Sequence, residues 1–325
     1  MMRDSLSKQC ELFINNREEI KSCFRWESAE ILAVCSSELC ADDIQIEAAK
    51  LLECKNVLDK STGVFSNFRG NAKLPVITML AKDENPAGKM ETITELHSLL
   101  KLRFRDSEYL SILAAKLFGM ISLDEADEYV NRGKEIYNLM KKEHPFLTST
   151  EDNVFAVLLA FSEKENDALV ADMEECYRTM KKFSPDSNAM QSLSHVLALA
   201  EGTPEEKCNR VIEFFNELDK KGKKYSKYYE MAVLGAISIL PLDLTQVVED
   251  IAEVDDFLAT QKGYTGIGMS KKTRLMHATM LVANDYAKNN VANTAAISGT
   301  IAMIAAQHAA MCAVIASTVA ASTSH

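Results

Sequence analysis

Met173-Glu-Glu-Cys-Tyr-Arg-Thr-Met-Lys181 carries its large apolar side chains at 173, 176 and 180, one face of an α-helix, and then runs into the basic and aromatic pair Lys182-Phe183. The same grammar recurs along the chain. With Tyr177 as the anchor, matching stretches read His97-Ser-Leu-Leu-Lys101, Tyr137-Asn-Leu-Met-Lys141, Phe215-Asn-Glu-Leu218 and Leu258-Ala-Thr-Gln-Lys262, and successive anchors lie 40, 40, 38 and 43 residues apart. The face is repeated by Ile93, Leu96 and Leu100 in one copy and by Val211, Phe214 and Leu218 in another. Two copies depart from it, with Gly133 and Gln261 where apolar residues belong, and a weaker copy surrounds Asn56-Val-Leu-Asp-Lys60.

Each amphipathic stretch leads into a more apolar one: Val76 to Leu80, Leu110 to Met120, Val154 to Phe161, Met190 to Ala200, Met231 to Leu240 and Leu275 to Ala283. Alternation of outer and inner helices at this period predicts an all-α fold built as an array of antiparallel helical hairpins, an irregular α-solenoid or superhelix. A compact multi-helix bundle with the same helix count is the alternative. Six prolines, twelve glycines and no alternating β-run fit the all-α reading.

Several helix starts are written in capping chemistry. Ser122-Leu-Asp-Glu125 and Thr148-Ser-Thr-Glu151 read as capping boxes, Thr203-Pro-Glu-Glu206 adds proline at the first helical position, and Asp243-Leu-Thr-Gln246 follows the same pattern. In an antiparallel array the loops sort onto two edges. Those entering outer helices are acidic, as at Asp42-Asp43, Asp83-Glu84, Asp124-Glu125, Glu163 with Glu165, and Glu205-Glu206. Those returning to inner helices are basic and aromatic: Phe65, Phe68 and Arg69; Arg103, Phe104 and Arg105; His144 and Phe146; Lys182 and Phe183; Lys223, Lys224 and Tyr225; Tyr264, Lys271, Lys272 and Arg274. Helix dipoles alone favour this sorting. A sharper reading is that the basic, aromatic edge docks an anionic ligand or an acidic segment of a protein or peptide partner.

A net charge of −11 without a long basic tract argues against nucleic acid as a partner. The eight cysteines contain no Cys-x-x-Cys pair and read as reduced core thiols. The opening Met-Met-Arg-Asp lacks the apolar run of a signal peptide, so a cytoplasmic protein is expected.

No motif names a reaction. Gly263-Tyr-Thr-Gly-Ile-Gly268 before Lys271 follows a helical stretch and lacks phosphate-loop spacing, so it reads as a connecting loop. The six histidines form no pair with zinc-ligand spacing, and no metal or cofactor is expected. Candidate ligand-binding residues are the polar groups of the inner helices and return loops: Arg69, Asn71, His144, Gln191, His195, Arg274 and His277. Arg69 is the foremost, followed by Gly70 and with Asn71 expected to cap the Val76 helix. Stacking of the inner helices is expected to bring His195, Gln191 and His277 near one another.

The strings Phe65-Ser-Asn-Phe-Arg-Gly70, His144-Pro-Phe-Leu-Thr148 with Glu151-Asp152, Gln191-Ser-Leu-Ser-His-Val-Leu197 and Arg274-Leu-Met276 together resemble the bacterial family called domain of unknown function 4003. The resemblance runs from about Phe13 to the C-terminus. It implies a cytosolic bacterial protein and brings no catalytic residues.

Beyond the repeats, taken as residues 1–288, the segment 289–325 has no Asp, Glu, Lys or Arg. Ile297, Ile301, Ile304, His308, Met311 and Ile315 form a heptad-like stripe on an alanine-rich helix. It is expected to pack on the array or to mediate homo-oligomer formation, and Gln307 and His308 at mid-length make a membrane span the weaker reading. The function expected is that of a non-enzymatic helical-repeat binding or scaffold protein. An enzyme or small-ligand sensor with a polar pocket on the inner helices is the alternative.

Overall fold

The computed structural model describes residues 2–145, 147–265, 269–289 and 301–311, and over these the protein is all-α. The helices are α1 (Asp4–Cys23), α2 (Ala29–Ala41), α3 (Ala48–Ser61), α4 (Lys73–Leu80), α5 (Pro86–Lys101), α6 (Glu108–Leu117), α7 (Leu123–Glu143) and α8 (Asp152–Leu159), with a 3-10 turn at Gly70–Ala72. They continue with α9 (Asn166–Lys181), α10 (Ser187–Ala198), α11 (Pro204–Lys220), α12 (Met231–Ser238), α13 (Leu244–Ala259) and α14 (Lys271–Asn289). Residues 301–311 form a further helix, buried within the chain at every position but Ile304. Ile297 and Ile315 of the predicted stripe lie outside the described residues.

The chain divides into two compact units. One, the N-unit, comprises Asn15–Glu163, and the other, the C-unit, joins Met1–Ile14 to Lys164–His325. In the N-unit α3, α5 and α7 pack in succession, and so do α2, α4, α6 and α8. The C-unit repeats the scheme with α9, α11 and α13 in one layer and α10, α12 and α14 in the other.

The layers differ as their sequences do. In α8 and α12 every side chain is buried, and in α4 all are from Leu74 onward. The odd-numbered helices bury one stripe, which in α9 is Leu169, Val170, Met173, Cys176 and Met180. Burying a Leu, Val or Met side chain contributes about 1.5–3 kcal/mol, so this stripe secures each outer helix.

Carbonyls at and just past the ends of the inner helices have no partner in the helix ladder. A cation from the same hairpin meets them. Arg132 of α7 donates to the carbonyls of Ala160 (2.9 Å) and Ser162 (2.6 Å) after α8. Arg210 of α11 donates to Leu242 (2.6 Å) after α12, and Lys164, just before α9, donates to Ala198 (3.0 Å) and Ala200 (2.7 Å) at the end of α10.

The reciprocal capping boxes form at Ser122 with Glu125 and at Thr203 with Glu206, and the Asp243 carboxylate accepts from Gln246 N. The box expected at Thr148 does not form. Thr148 Oγ1 instead donates to the His144 carbonyl at 2.9 Å, and the amide of Ser149 donates to Asp152 Oδ2 at 2.7 Å, so α8 starts at Asp152. Among the described residues no helix is long and apolar enough to cross a membrane.

Gly133 explains its departure from the repeat. A Cβ there would lie 2.8 Å from Val157 Cγ2 and 2.9 Å from Val157 Cα, so the missing side chain is what lets α7 lie against α8. Gly133→Ala must force the helices apart at a backbone contact, and a loss of about 1–3 kcal/mol is expected on denaturant unfolding. An unchanged midpoint would show that the close approach is not required.

Candidate functional site

The aromatic residues of the return loops divide into two groups, and the first is structural. Phe68 meets His97 edge-on (4.8 Å between ring centroids), Phe104 meets Tyr137 (5.9 Å) and Phe183 meets Phe215 (5.0 Å). His97, Tyr137 and Phe215 are the repeat anchors. Each of these loops therefore seats a ring on the anchor of the next outer helix, worth about 0.5–1.5 kcal/mol beyond burial. Cations complete two of the joints: Lys134 lies over Phe104 and Tyr137, and Lys227 over Phe183 and Phe215. Phe146 lies outside the described residues.

The string around Arg69 is absorbed by the fold in the same way. Arg69 Nη2 donates to the carbonyls of Asp59 and Thr62, both at 2.9 Å, and Nη1 pairs with the Asp59 carboxylate, closing the C-terminal end of α3. Gly70 then turns with φ +62°, and its bare Cα faces Glu108, whose Oε1 would be 3.0 Å from a Cβ. Asn71 does not cap α4: the cap position is Ala72, with no side-chain bond. The turn carries Asn71 instead toward the Glu108 carboxyl, whose ionisation it favours. Burial nonetheless raises the Glu108 carboxyl above its ordinary value.

Beside this turn, His97 Nε2 lies 3.1 Å from Asp106 Oδ1 and 3.5 Å from Ser111 Oγ. A nucleophile relay needs the hydroxyl and the carboxylate on opposite ring nitrogens. Here both approach the same nitrogen. Burial lowers the His97 pKa, so the ring is neutral near pH 7, a steric and hydrogen-bonding partner for Phe68 and Asp106.

The remaining candidates lie as follows. His144 terminates α7, its amide donating to the Met140 carbonyl at 2.9 Å. In the C-unit Arg274 forks onto Asp255 (2.7 and 3.2 Å), which also takes Lys223 at 2.8 Å. His277 Nδ1 is 2.8 Å from the Tyr264 hydroxyl, and its ring also faces Phe13. Gln191 and His195 are buried one turn apart on α10. Helices α10 and α14 each pack on α12, so the expected gathering of His195, Gln191 and His277 is set by an intervening helix. Among the described residues no group of three or more His, Cys, Asp or Glu is placed to hold a metal ion.

The second group of loop residues faces water. Trp26 is 99% exposed, Phe65 100%, Val64 77% and Leu102 67%. They sit in the loops entering α2, α4 and α6, which pack side by side. Lys73, at the start of α4, acts on the Glu27 carboxyl of the Trp26 loop, opposing the rise that burial causes. Arg25 and Arg105, on the same loops, are exposed and take no ion pair among the described residues. The N-unit thus presents an apolar patch with free guanidinium groups along one edge. Sequence reasoning identified Phe65 and Arg105 but missed Trp26, whose signal was its uniqueness: it is the single tryptophan, held in a short loop between two charged residues.

With this geometry in view, comparison with known proteins places the chain. It belongs to the family described as protein of unknown function (DUF4003), whose model matches residues 16–309. A relative from Bacillus subtilis (strain 168), described as uncharacterized protein YeaA, is 25% identical over 338 residues, an alignment that covers 100% of this chain and 99% of the relative. No solved structure matches.

Asp152 is a buried acid whose ionisation is displaced upward. The Asp152 carboxyl is pushed up to about 7 by burial, with Glu151 adding to the shift and the Ser149 amide opposing it. An acid whose pKa is higher folded than unfolded binds more protons in the folded state, so its contribution to stability is lost as pH rises from about 4 through 7. Asp152→Asn is expected to stabilise the protein by about 1–3 kcal/mol at pH 8 and by much less at pH 5. Equal effects at the two pH values would show that ionisation of Asp152 is not the cause.

Proposed function

We propose that this protein is a non-enzymatic helical-repeat binding protein whose N-unit edge takes an acidic, partly apolar segment of a partner protein. The observation that carries this reading is the clustering of Trp26, Val64, Phe65 and Leu102 in water beside Arg25 and Arg105. Five of the six large hydrophobic residues exposed among the described residues lie on return loops, Tyr228 in the C-unit being the fifth and Leu52 of α3 the exception. Gathered exposed apolar groups mark an interaction surface where scattered ones do not. Tryptophan and arginine are the residues that most often dominate interface energies.

Charge supports the choice of partner. In a chain of net charge −11, guanidinium groups left free of internal acids are the cations available to an acidic segment. The alternative, an enzyme or small-ligand sensor on the inner helices, has less behind it, because Arg274 and His277 are already engaged by Asp255 and Tyr264.

The test compares affinity capture from the native cell with intact bait, with the Trp26→Ala/Phe65→Ala bait, and with a Leu52→Ala control. Loss of an acidic partner by roughly tenfold or more from the double variant alone is expected, since each hot-spot truncation costs about 2 kcal/mol. Binding of the purified partner should weaken as salt rises, and the emission of the single tryptophan should shift to the blue on binding. Equal capture by all three baits, or salt-insensitive binding, would overturn the proposal.

A further inference from the structure

Cys176 of α9 and Cys208 of α11 are buried on neighbouring outer helices of the C-unit, and their side chains act on each other's ionisation. Cys208 Sγ also donates to the Cys176 carbonyl (3.7 Å), and Cys176 Sγ donates to Asp172 Oδ1 (3.7 Å). The Lys207 ammonium contacts both Asp172 oxygens at 2.6 Å, so a fixed positive charge sits beside the two sulfurs.

The two thiols are not equivalent. Cys208 is held below its ordinary range by its neighbour Cys176, with Lys207 acting in the same direction. Cys176 is raised by its neighbour Cys208 and by burial. Elsewhere burial, helped by nearby acids, pushes Cys10 and Cys35 up to about 12 and Cys54 up to about 11, the setting of inert core thiols.

We propose that Cys176 and Cys208 form a redox-responsive pair that closes to a disulfide when the protein meets a hydroperoxide, stapling α9 to α11. In the first step the Cys208 sulfur attacks a peroxide oxygen and the O–O bond breaks. With hydrogen peroxide this leaves a sulfenic acid and one water. In the second step the Cys176 sulfur attacks that of Cys208, the S–O bond breaks and a second water leaves. Two thiols and one peroxide thus give one disulfide and two waters. With Cys208 Sγ 3.7 Å from the Cys176 carbonyl oxygen, the two sulfurs have only to close to the S–S length of about 2.05 Å. The pair lies in the other unit from the proposed binding edge, and its chemistry is independent of that reading.

The test treats the folded, full-length protein with hydrogen peroxide, alkylates it in denaturant and maps the peptides. A linked peptide joining Cys176 to Cys208 is expected, with a mass loss of about 2 Da that a dithiol reverses. The oxidised protein should melt several degrees higher, because a closed loop constrains the unfolded chain. In Cys176→Ser, Cys208 should persist as a sulfenic acid trapped by dimedone, whereas Cys208→Ser should leave Cys176 largely unreacted. Circular dichroism of both variants checks that they fold, and the mapping of the unaltered protein stands without them. Recovery of both cysteines fully alkylated, linkage to any other cysteine, or faster trapping at Cys176 than at Cys208 would overturn the proposal.

Discussion

Short helices that end inside a protein impose the constraint on which the rest of this structure depends. α4, α8 and α12 span eight residues each and are buried on almost every side, and the part-buried carbonyls just past α8 and α12 lie outside the helix ladder. Each such carbonyl left without a donor costs about 1–3 kcal/mol. For α8, α10 and α12 the outer half of the same hairpin supplies the donor, through Arg132, Lys164 and Arg210. An outer helix therefore does more than cover its inner partner. It ends that partner's hydrogen-bonding ladder, which ties the length of one helix to the position of a cation on the other.

The return loops answer the matching constraint at the opposite ends. A loop entering a buried helix must be fixed, and here a ring is seated on the next outer helix while a cation closes the helix just left or reaches an acid on the one to come. Arg69 closes α3, and Lys223 reaches Asp255 of α13. Most of the basic and aromatic character of these loops is consumed in this way. What makes Trp26, Phe65 and Arg105 informative is that the same device leaves them over. Their loops are already held by other contacts, including Phe68 on His97 and Phe104 on Tyr137, so packing does not explain their exposure.

These distinctions set the limit of what could be read in the sequence. The hairpins were legible because periodicity and caps are local: the Met173, Cys176 and Met180 face, the Ser122 and Thr203 boxes and the apolar inner stretches all appear where expected. The Thr148 box failed because both the amide and the hydroxyl of Thr148 donate back to the His144 carbonyl, at 3.0 and 2.9 Å. Asn71 failed as a cap because the group it acts on, Glu108, lies at the start of α6, in the next hairpin. Phe65 and Phe68 sit three residues apart in one loop, yet one is wholly exposed and the other seated on a ring 29 residues further on. No local rule separates them. The candidate site was therefore legible as an edge and not as a set of residues.

The hairpin that breaks the carbonyl-capping pattern shows how function can enter through such a departure. Arg132 and Arg210 stand five residues before their anchors, but in α9 that position is Asp172. An aspartate cannot donate to carbonyls, so the task falls to Lys164, which Asp172 holds at 2.8 Å while Lys164 reaches the end of α10. The same carboxylate draws in Lys207 from α11, the residue that precedes Cys208, and accepts from Cys176. An acid at this position thus brings two ammonium groups and two thiols together. In α7 and α11 a guanidinium at this position reaches the carbonyls beyond the inner helix directly. In α9 the same structural demand is met through a relay of charges, and that relay creates the setting in which two otherwise ordinary core cysteines become unequal.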